Sequence, residues 1–391
     1  MKLVVVGLGQ CGGRITDEFA RLNKRARARR GTEVIVGAFA VNTDTTDLSG
    51  LSTIKPDYQH RILIGGEKTR GHGVAKLGEL GAEIAKEEGD KVIDTIVSAG
   101  QFFEIDAFLL VTSSAGGTGA GALPIMAQLL KDRYGDKPVY ALVVLPFEHE
   151  EKTEERTVYN TAVCLKSVYP IVDAALLVDN QRYIRKDSSL RNNMVKINEL
   201  IVEPFYNLLC TGEERKAKHI GTKLLDAGDV IQTLSGWTAI GYGKSLLPLI
   251  RLPFQRIRSF REKSLDTHNG IQAMDEAVGE LSVKCNTKDS GKALYLLSAP
   301  AKEMSMDLVK DMGDYLRRIA PDAIIRNGDY PQEKRMIDVT IILSQLRDVE
   351  MVKEYYAKLR GVVEETKRKR KTNALRRRAT EEAAKDIPSL L

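Results

Sequence analysis

The fold of this chain is decided by one stretch of sequence, Ser113-Ser114-Ala115-Gly116-Gly117-Thr118-Gly119-Ala120-Gly121. The apolar run Ala107–Thr112 precedes it and predicts a buried strand, and Ala122–Leu130 follows it and predicts a helix. Four glycines within six residues leave successive backbone N–H groups free to form a concave nest for an anion. The hydroxyl of Thr118 can add a further donor. A tight turn without a ligand does not need so many glycines, so we predict a phosphate site here.

A second glycine-rich loop, Gly7-Leu8-Gly9-Gln10-Cys11-Gly12-Gly13, lies near the N-terminus. It matches G-x-G-x-x-G, a pattern that combines a tight turn, close backbone approach to phosphate and a helix N-terminus directed at negative charge. By itself the pattern is typical of NAD or FAD sites, and Asp44, after the second predicted strand, could hold a ribose. An NAD- or FAD-dependent oxidoreductase therefore stays open. The pair of loops favours a nucleoside triphosphate, which can use both nests.

Neither loop is a Walker A motif, which requires G-x-x-x-x-G-K-[ST]. The triplet Gly243-Lys244-Ser245 has Thr238 where that motif needs glycine. Because a P-loop lysine is missing, the phosphate charge must be met by backbone N–H groups, helix dipoles and a divalent cation, for which Mg²⁺ is the natural candidate.

The first half of the chain alternates short apolar runs with helical patterns, which predicts an α/β fold with a doubly wound, mainly parallel, Rossmann-like sheet. Ligands of such sheets bind beyond the carboxyl ends of the strands. We expect a nucleotide-binding domain over residues 1–234 with a long central helix at about 189–210, a smaller α+β domain over 235–360, and a tail over 361–391. The predicted strands are Lys2–Val6, Val34–Val41, Ala107–Thr112, Val139–Leu145, Ala174–Val178, Lys292–Leu297, Ala323–Arg326 and Met336–Leu343. The predicted helices are Gly12–Leu22, Val74–Glu88, Gly121–Tyr134, Glu154–Val168, Ser189–Cys210 and Lys302–Ile319.

The basic residues are concentrated near the C-terminus. Eight of them and no acidic residue lie between Lys367 and Arg378, and removing those eight charges from the net +6 leaves −2. We expect this flexible or helical tail to attract a membrane surface or an acidic protein, although a solvated helix end would show the same pattern. The run has no aromatic residue for base stacking, so binding to nucleic acid should be non-specific.

Composition argues against several other classes of protein. With 391 residues, 43% of them hydrophobic, the chain can bury sizeable cores, and no apolar run approaches the roughly 18 residues that span a bilayer. The four cysteines are dispersed and none forms a C-x-x-C pair, so neither a zinc site nor a disulfide framework is expected. The histidines show no metal-ligand spacing. We therefore expect a cytoplasmic protein without a metal held by its own side chains.

The glycine loop at Gly116–Gly121 resembles the G-G-G-T-G-[ST]-G signature of the tubulin/FtsZ superfamily. Asn180 and Asn198 match the two positions at which that superfamily reads guanine, and the overall pattern is most similar to the archaeal CetZ group. Further segments resemble the superfamily's other loops, in family order: Gly9-Gln10-Cys11-Gly12, Asn42-Thr43-Asp44, Thr69-Arg70-Gly71-His72-Gly73, and Pro146-Phe147 followed by Glu155-Arg156.

This resemblance implies a GTPase that binds GTP or GDP with Mg²⁺. It assigns the phosphates to the glycine loops, the ribose side to a pair of charged residues, and the base to two asparagines, each of which can donate and accept hydrogen bonds to the mixed edge of guanine. The implied nucleotide-binding residues are Gly9, Gln10, Cys11, Gly12, Asn42, Asp44, Gly71, Gly73, Ser114, Ala115, Gly116, Gly117, Thr118, Gly119, Glu155, Arg156, Asn180 and Asn198.

The segment Gly221–Asp229 resembles the G-x-x-N-x-D-x-x-D loop by which one FtsZ subunit completes the active site of the next. Asp226 and Asp229 are three residues apart, so they share a face if the segment enters a helix, where a carboxylate can orient the attacking water. Taken alone, both could simply cap the helix that follows. The resemblance favours catalysis, by Asp229 more than by Asp226. Leu224 replaces the family's Asn, which keeps a nucleotide-dependent scaffold without significant hydrolysis open.

Assembly follows if the glycine loops and the acidic loop lie at opposite poles of the molecule. One subunit could then not use both on a single nucleotide, whereas a head-to-tail contact would bring them together. Such heterologous contacts form filaments when they do not close into rings. The resemblance to the CetZ group implies a cytoskeletal role, such as the control of cell shape or morphology.

Overall fold

The computed structural model describes residues 1–99, 104–184, 190–247 and 260–362. Within them, ten strands form one sheet in the order β3-β2-β1-β4-β5-β6-β7-β10-β8-β9. The strands are β1 Leu3–Leu8, β2 Ile35–Asn42, β3 Arg61–Leu63, β4 Ala107–Ser113, β5 Val139–Leu145, β6 Ala174–Asp179, β7 Gly236–Leu246, β8 Lys292–Ala299, β9 Ile324–Pro331 and β10 Met336–Leu346.

The sheet is mainly parallel, which confirms the predicted fold class. Strands β1 to β7 all run in one direction. Strand β10 is antiparallel to both of its neighbours, and β9 is parallel to β8. The C-terminal α+β part is therefore joined to the first part edge to edge, because β7 pairs with β6 on one side and with β10 on the other.

Helices cover both faces of this sheet. In the central segment, α8, a π-helical turn at Asn198–Val202 and α9 follow one another without a break, as the predicted long helix requires. The helices are α1 Gly9–Arg30, α2 Thr45–Ser49, α3 Gly66–Thr69, α4 Gly78–Ala99, α5 Thr118–Arg133, α6 Glu148–Thr153, α7 Glu155–Val168, α8 Leu190–Ile197, α9 Glu203–Cys210, α10 Ala227–Thr233, α11 Phe260–Gly279, α12 Met306–Ile319 and α13 at 350–362.

The core consists of two apolar layers, one on each face of the sheet. Alternate residues of a strand point to opposite faces, so Val4 and Val6 of β1 pack with residues of α4 and α5, while Leu3 and Val5 pack with residues of α1 and α9. Burial of both faces explains why the strands read as continuous apolar runs. Every residue of β1, β5 and β6 is buried.

Two helices begin later in the chain than the sequence predicts. The helix predicted over Val74–Glu88 begins at Gly78, because Ala75 (φ 48°) and Lys76 (φ 59°) adopt left-handed conformations that cannot continue a right-handed helix. The helix predicted over Lys302–Ile319 begins after Ser305, whose hydroxyl caps its first turn. The basic run of the predicted tail lies outside the described residues.

Within the described ranges, no helix combines the length and the apolar character that crossing a membrane would require.

Candidate functional site

A cavity of about 850 Å³ opens at the carboxyl ends of the parallel strands. Its walls come from the loops that follow β1, β2, β4, β5 and β6 and from the start of the central helical segment, which is where a doubly wound sheet places its ligands. The cavity is lined by Leu8, Gly9, Gln10, Cys11, Arg14, Asn42, Asp44, Asp47, Gly73, Lys76, Thr112, Ser113, Ala115, Gly116, Gly117, Thr118, Gly119, Phe147, Glu150, Asn180, Asn193, Met194, Val195 and Asn198.

The two glycine loops meet on the floor of this cavity. A Cβ added at Gly9, whose φ is +72°, would lie 3.2 Å from the backbone nitrogen of Gly119. A Cβ added at Gly119 would lie 2.0 Å from the Thr112 hydroxyl and 2.6 Å from the carbonyl oxygen of Leu8. No side chain larger than hydrogen fits at Gly119 without movement of the backbone. The two loops thus form one continuous cradle.

Both loops lead into helix N-termini that face this cradle. In the described structure, neither α1 nor α5 has a side chain that caps its first turn, and neither carries an acidic residue there. The first backbone N–H groups of each helix are consequently left for a ligand. Two helix dipoles with their positive ends at one floor favour an anion.

The loop after β2 closes one side of the cradle. The hydroxyls of Thr43 and Thr118 are hydrogen bonded at 2.6 Å, which ties this loop to the second glycine loop. Asp44 caps α2 by accepting hydrogen bonds from the backbone of Thr46 (2.8 Å) and Asp47 (3.1 Å). Asp44 and Asp47 also line the cavity, so carboxylate oxygens, which Mg²⁺ prefers, stand beside the glycine loops.

Sequence reasoning missed a cation on the neighbouring loop. Lys76 lines the cavity, and its Nζ lies 2.6 Å from the Glu154 carboxylate. Its left-handed backbone is held by Asn160, whose side-chain amide donates to the Lys76 carbonyl oxygen at 2.9 Å. The loop thus reaches its left-handed conformation at a lysine, and nothing in the sequence pattern indicated this.

Three asparagines meet at the other end of the cavity. Asn180 and Asn198 lie there, as the resemblance predicts, and Asn193 lies beside them. Asn193 is 6% exposed, and its Nδ2 donates to the Oδ1 of Asn180 at 3.2 Å. The Oδ1 atoms of Asn193 and Asn198 are buried and have no hydrogen-bond partner among the described residues. Unpartnered buried carbonyl oxygens are costly, so this end of the cavity is suited to a ligand that brings N–H donors.

Five of the predicted nucleotide-binding residues do not line the cavity. Gly12 packs behind the floor, where an added Cβ would lie 2.1 Å from the Val111 carbonyl oxygen. Ser114 is buried, and its hydroxyl lies within hydrogen-bond distance of the Val144 carbonyl oxygen and of the Thr161 hydroxyl. The carbonyl oxygen of Gly71 accepts from Thr45. These three glycine and serine positions shape the loops from behind.

The predicted ribose-side pair, Glu155 and Arg156, lies at the start of α7, outside the cavity lining. Arg156 is ion paired with Glu79 of α4 at 2.8 Å. Phe147 and Glu150, from the loop after β5 and the start of α6, line the cavity at this side instead. The backbone N–H of Phe147 donates to the Glu150 carboxylate at 3.0 Å, which fixes that acidic side chain at the rim.

The acidic loop lies at the opposite end of the parallel strands, beside their amino ends. It precedes β7, whose first residues pair with the first residues of the parallel strand β6. The Thr211 hydroxyl donates to the Leu225 carbonyl oxygen of this loop at 2.9 Å. Two residues further along the chain, the Glu213 carboxylate lies 3.2 Å from the terminal amine, which precedes β1. The acidic loop therefore lies near the amino end of β1. At about 3.3 Å per residue, the 6 residues of β1 separate the carboxyl ends of the strands from their amino ends by roughly 20 Å.

Asp226 and Asp229 occupy different environments within that loop. Asp226 is exposed and is the N-cap of α10, accepting from the Asp229 backbone N–H at 2.8 Å. The Asp229 carboxylate is half-buried and lies 3.5 Å from the Arg326 guanidinium. The alternative role as a helix cap is thus realised by Asp226, although its second carboxylate oxygen is not needed for the cap. The preference for Asp229 as the catalytic residue stays a prediction.

A fold with two glycine loops, a carboxylate-lined wall and an acidic loop at the far edge agrees with the comparisons to known proteins. A sequence model of the tubulin/FtsZ family GTPase domain matches residues 2–186, and a model of the tubulin-like CetZ C-terminal domain matches residues 187–359. Tubulin-like protein CetZ1 of Haloferax volcanii is 31% identical over 370 residues, which cover 90% of each chain.

Solved structures show the same relationship. The GDP-bound monomer of Haloferax volcanii CetZ1 superposes with a TM-score of 0.78 at 28% identity, covering 93% of this chain and 99% of that one. The GTPγS-bound protofilament of Haloferax volcanii CetZ2 gives a TM-score of 0.79 at 25% identity, covering 94% and 100%. The chain therefore belongs to the tubulin-like CetZ group of the tubulin/FtsZ family.

Proposed function

We propose that this protein binds GTP and GDP in the cavity described above and assembles head to tail into filaments. One observation carries the proposal: among the described residues, two helix N-termini without a side-chain cap and two asparagine carbonyls without a partner belong to the lining of the same cavity. The first pair suits phosphate and the second suits a base with N–H donors. Two solved relatives whose structures hold GDP and GTPγS support the assignment, one of them as a protofilament.

The phosphates would lie on the glycine cradle, where the backbone N–H groups of both loops can donate to them. The carboxylates of Asp44 and Asp47 fit a hydrated Mg²⁺ that accompanies the phosphates, since this ion usually keeps several waters and few protein ligands. Lys76 adds a positive charge at the rim. Among the described residues, no cluster of three or more acidic, histidine or cysteine side chains could hold a metal by itself.

Hydrolysis requires a second subunit. A water that attacks the γ-phosphorus forms a new P–O bond while the bond to the bridging oxygen breaks, and a nearby carboxylate can orient that water and take its proton. The acidic loop carries two such carboxylates but lies at the other edge of its own molecule. In a head-to-tail filament, Asp226 or Asp229 of one subunit reaches the cavity of the next, so that assembly activates the GTPase.

Nucleotide identity is tested by displacing a fluorescent GDP from the cavity. GTP and GDP should bind at least as tightly as the fluorescent GDP and displace it, whereas ATP and NAD should displace it far more weakly. Displacement by NAD would instead support the oxidoreductase. Light scattering with GTP, GDP and a slowly hydrolysed GTP analogue then tests assembly, and scattering that is the same with all three nucleotides would contradict nucleotide-dependent polymerisation.

Shared catalysis is tested by GTP turnover as a function of protein concentration. Specific activity should rise steeply where filaments form, because isolated subunits lack the acid. Activity that is constant from dilute monomer to assembled polymer would contradict a shared site.

The two aspartates can be separated by conservative variants. Asp226→Asn keeps a good N-cap but removes the charge, whereas Asp226→Ala removes both and should cost about 1 kcal/mol of stability. If Asp226 is catalytic, both variants lose turnover; if it is only a cap, Asp226→Asn stays active. Asp229→Asn and Asp229→Ala should both lose turnover while nucleotide affinity stays within about twofold, since the loop is remote from the cavity.

A scaffold without significant hydrolysis is the second candidate, and Leu224 is the feature that favours it. This side chain is 46% exposed in the acidic loop, where the family has Asn. Leu224→Asn should raise turnover if the missing amide limits hydrolysis. We also propose that the protein acts in cell shape or morphology. For the basic run 367–378, we propose a membrane surface or an acidic protein as the partner. Deletion of that run should abolish such binding.

A further inference from the structure

We propose that Asn193 is a third guanine-reading residue, which selects guanine by accepting a hydrogen bond from its exocyclic 2-amino group. This inference rests on the guanine-nucleotide function proposed above and identifies how the cavity discriminates among purines. It adds a residue that neither the sequence motifs nor the family resemblance indicated.

The state of the Asn193 amide carries the argument. Asn193 lies on α8 and is buried, and its Nδ2 donates one hydrogen bond to the Oδ1 of Asn180. Its own Oδ1 is buried in the cavity wall without a partner among the described residues. The one atom of this side chain without a partner is therefore its acceptor, which suits a ligand that brings an N–H.

The donors and acceptors along the guanine edge can be assigned to the side-chain groups that the asparagines present to a ligand. Guanine presents one acceptor, O6, and two kinds of donor, N1–H and the 2-amino group. Asn198 can present its Oδ1 and Nδ2 side by side, which matches N1–H and O6 as a pair. The remaining donor on this edge is the 2-amino group, and the Oδ1 of Asn193 is a buried acceptor that has no partner among the described residues. Adenine offers neither N1–H nor a 2-amino group, and hypoxanthine offers N1–H alone.

The bond to Asn180 adds a positioning effect. Asn180 follows β6 directly, and the Asp179 carboxylate before it accepts from the Gln181 backbone N–H at 2.9 Å, so the turn is fixed to the sheet. Because the Asn180 Oδ1 accepts from the Asn193 Nδ2 at 3.2 Å, the amide of this cavity-lining residue is restrained in one orientation, with its Oδ1 on the side away from that bond. A preoriented acceptor discriminates better than a mobile one, since less rotamer entropy is lost on binding.

The test compares GTP with inosine triphosphate, which lacks only the 2-amino group, by displacement of a fluorescent GDP from the full-length protein. Unmodified protein should prefer GTP by about 10-fold to 100-fold, because inosine triphosphate leaves a buried carbonyl unsatisfied. Asn193→Leu, of similar volume but without polar atoms, should reduce this ratio to about twofold or less, by weakening GTP and not inosine triphosphate. Asn193→Asp keeps an acceptor, and the Asn180 amide can turn to donate to the new carboxylate, so most of the preference should persist.

Asn192→Leu is the matched control, since Asn192 is the exposed neighbour on the same helix and does not line the cavity. It should leave the ratio unchanged. An Asn193→Leu variant that binds both nucleotides more weakly but keeps the full preference would overturn the inference, and so would an unmodified protein that does not distinguish the two. An unmodified protein that fails to prefer GTP over ATP would refute the proposed function itself.

Discussion

Asp329, remote from the cavity, is expected to control GTP turnover by holding the acidic loop in place. It lies on β9, is 7% exposed, and accepts hydrogen bonds from the backbone N–H groups of Thr222, at 2.8 Å, and of Lys223. Its own N–H donates to the Lys223 carbonyl oxygen at 3.0 Å. A single buried carboxylate thus fixes the backbone that leads to Asp226.

The size of the effect follows from the two bonds that the carboxylate accepts. Hydrogen bonds to a charged acceptor contribute about 1.5–3 kcal/mol each, so Asp329→Ala removes roughly 3–6 kcal/mol from the loop. Thr222 and Lys223 are exposed and can turn to water instead, which reduces the net loss to about 2–3 kcal/mol. Asp329→Asn retains one acceptor and should lose about half as much. If only the ordered loop can act on the next subunit, 2–3 kcal/mol corresponds to a decrease of at most roughly 30-fold to 150-fold in turnover.

The assay measures phosphate release at concentrations where filaments form, together with nucleotide affinity. Turnover should decrease in the order unmodified protein, Asp329→Asn, Asp329→Ala, with nucleotide affinity within about twofold throughout. Asp322→Ala, at an exposed site just before the same strand, should change neither quantity. If Asp329→Ala unfolds more easily yet keeps full turnover per assembled subunit, the loop does not need this anchor. A loss of nucleotide affinity in Asp329→Ala would mean that the acidic loop and the cavity are energetically coupled within one subunit.

Three further predictions concern the cradle and the core. Gly119→Ala should destabilise the fold by about 1–3 kcal/mol, because the added Cβ would lie 2.0 Å from the Thr112 hydroxyl. At Gly116 an added Cβ meets nothing within 4 Å. Gly116→Ala should therefore keep the melting temperature and weaken only nucleotide binding. Lys76→Gly should leave stability nearly unchanged, because glycine tolerates φ 59°, but should weaken nucleotide binding and its dependence on salt. Burial raises the pKa of Asp338 to about 6, above its ordinary value, so the folded state holds that proton to higher pH than the unfolded state, and stability falls as pH rises from about 4 to 6. Asp338→Asn should therefore stabilise the protein at pH 7 by up to about 3 kcal/mol and have little effect at pH 4, as thermal denaturation at the two pH values would reveal.

The sequence was most informative where the backbone itself carries the signal. Glycine-rich loops at strand ends and continuous apolar runs are compatible with few local structures, so the floor of the cavity and the first strands could be predicted closely; β5 has the predicted bounds, Val139–Leu145. Asp44, Asn180 and Asn198 lie in the cavity wall, and the predicted adjacency of the two glycine loops is confirmed.

Elements that depend on tertiary contacts could not be read from the pattern. Strand β7 was missed because Gly241 and Gly243 interrupt its apolar pattern; both are required by α11, since an added Cβ would lie 2.1 Å from the carbonyl oxygens of Ala277 and Ala273 respectively. Asn193 was missed for a related reason. Its sequence neighbourhood is ordinary helix, and only burial beside Asn180 distinguishes it from a solvated residue.

The sheet also explains why assembly and chemistry would be coupled in this fold. Parallel strands place all their carboxyl ends at one edge, so the nucleotide cavity is confined there, and the loop that enters β7 must lie at the other edge because β7 is parallel to β6. The fully buried strands between the two edges make that separation rigid. No loop movement can bring Asp229 to the cavity of its own subunit across roughly 20 Å of packed sheet. In the proposed head-to-tail assembly, a second copy stacked in the same orientation would bring the two ends of the strands together without any rearrangement, and the hydrolysed nucleotide would then lie within the contact that holds the copies together.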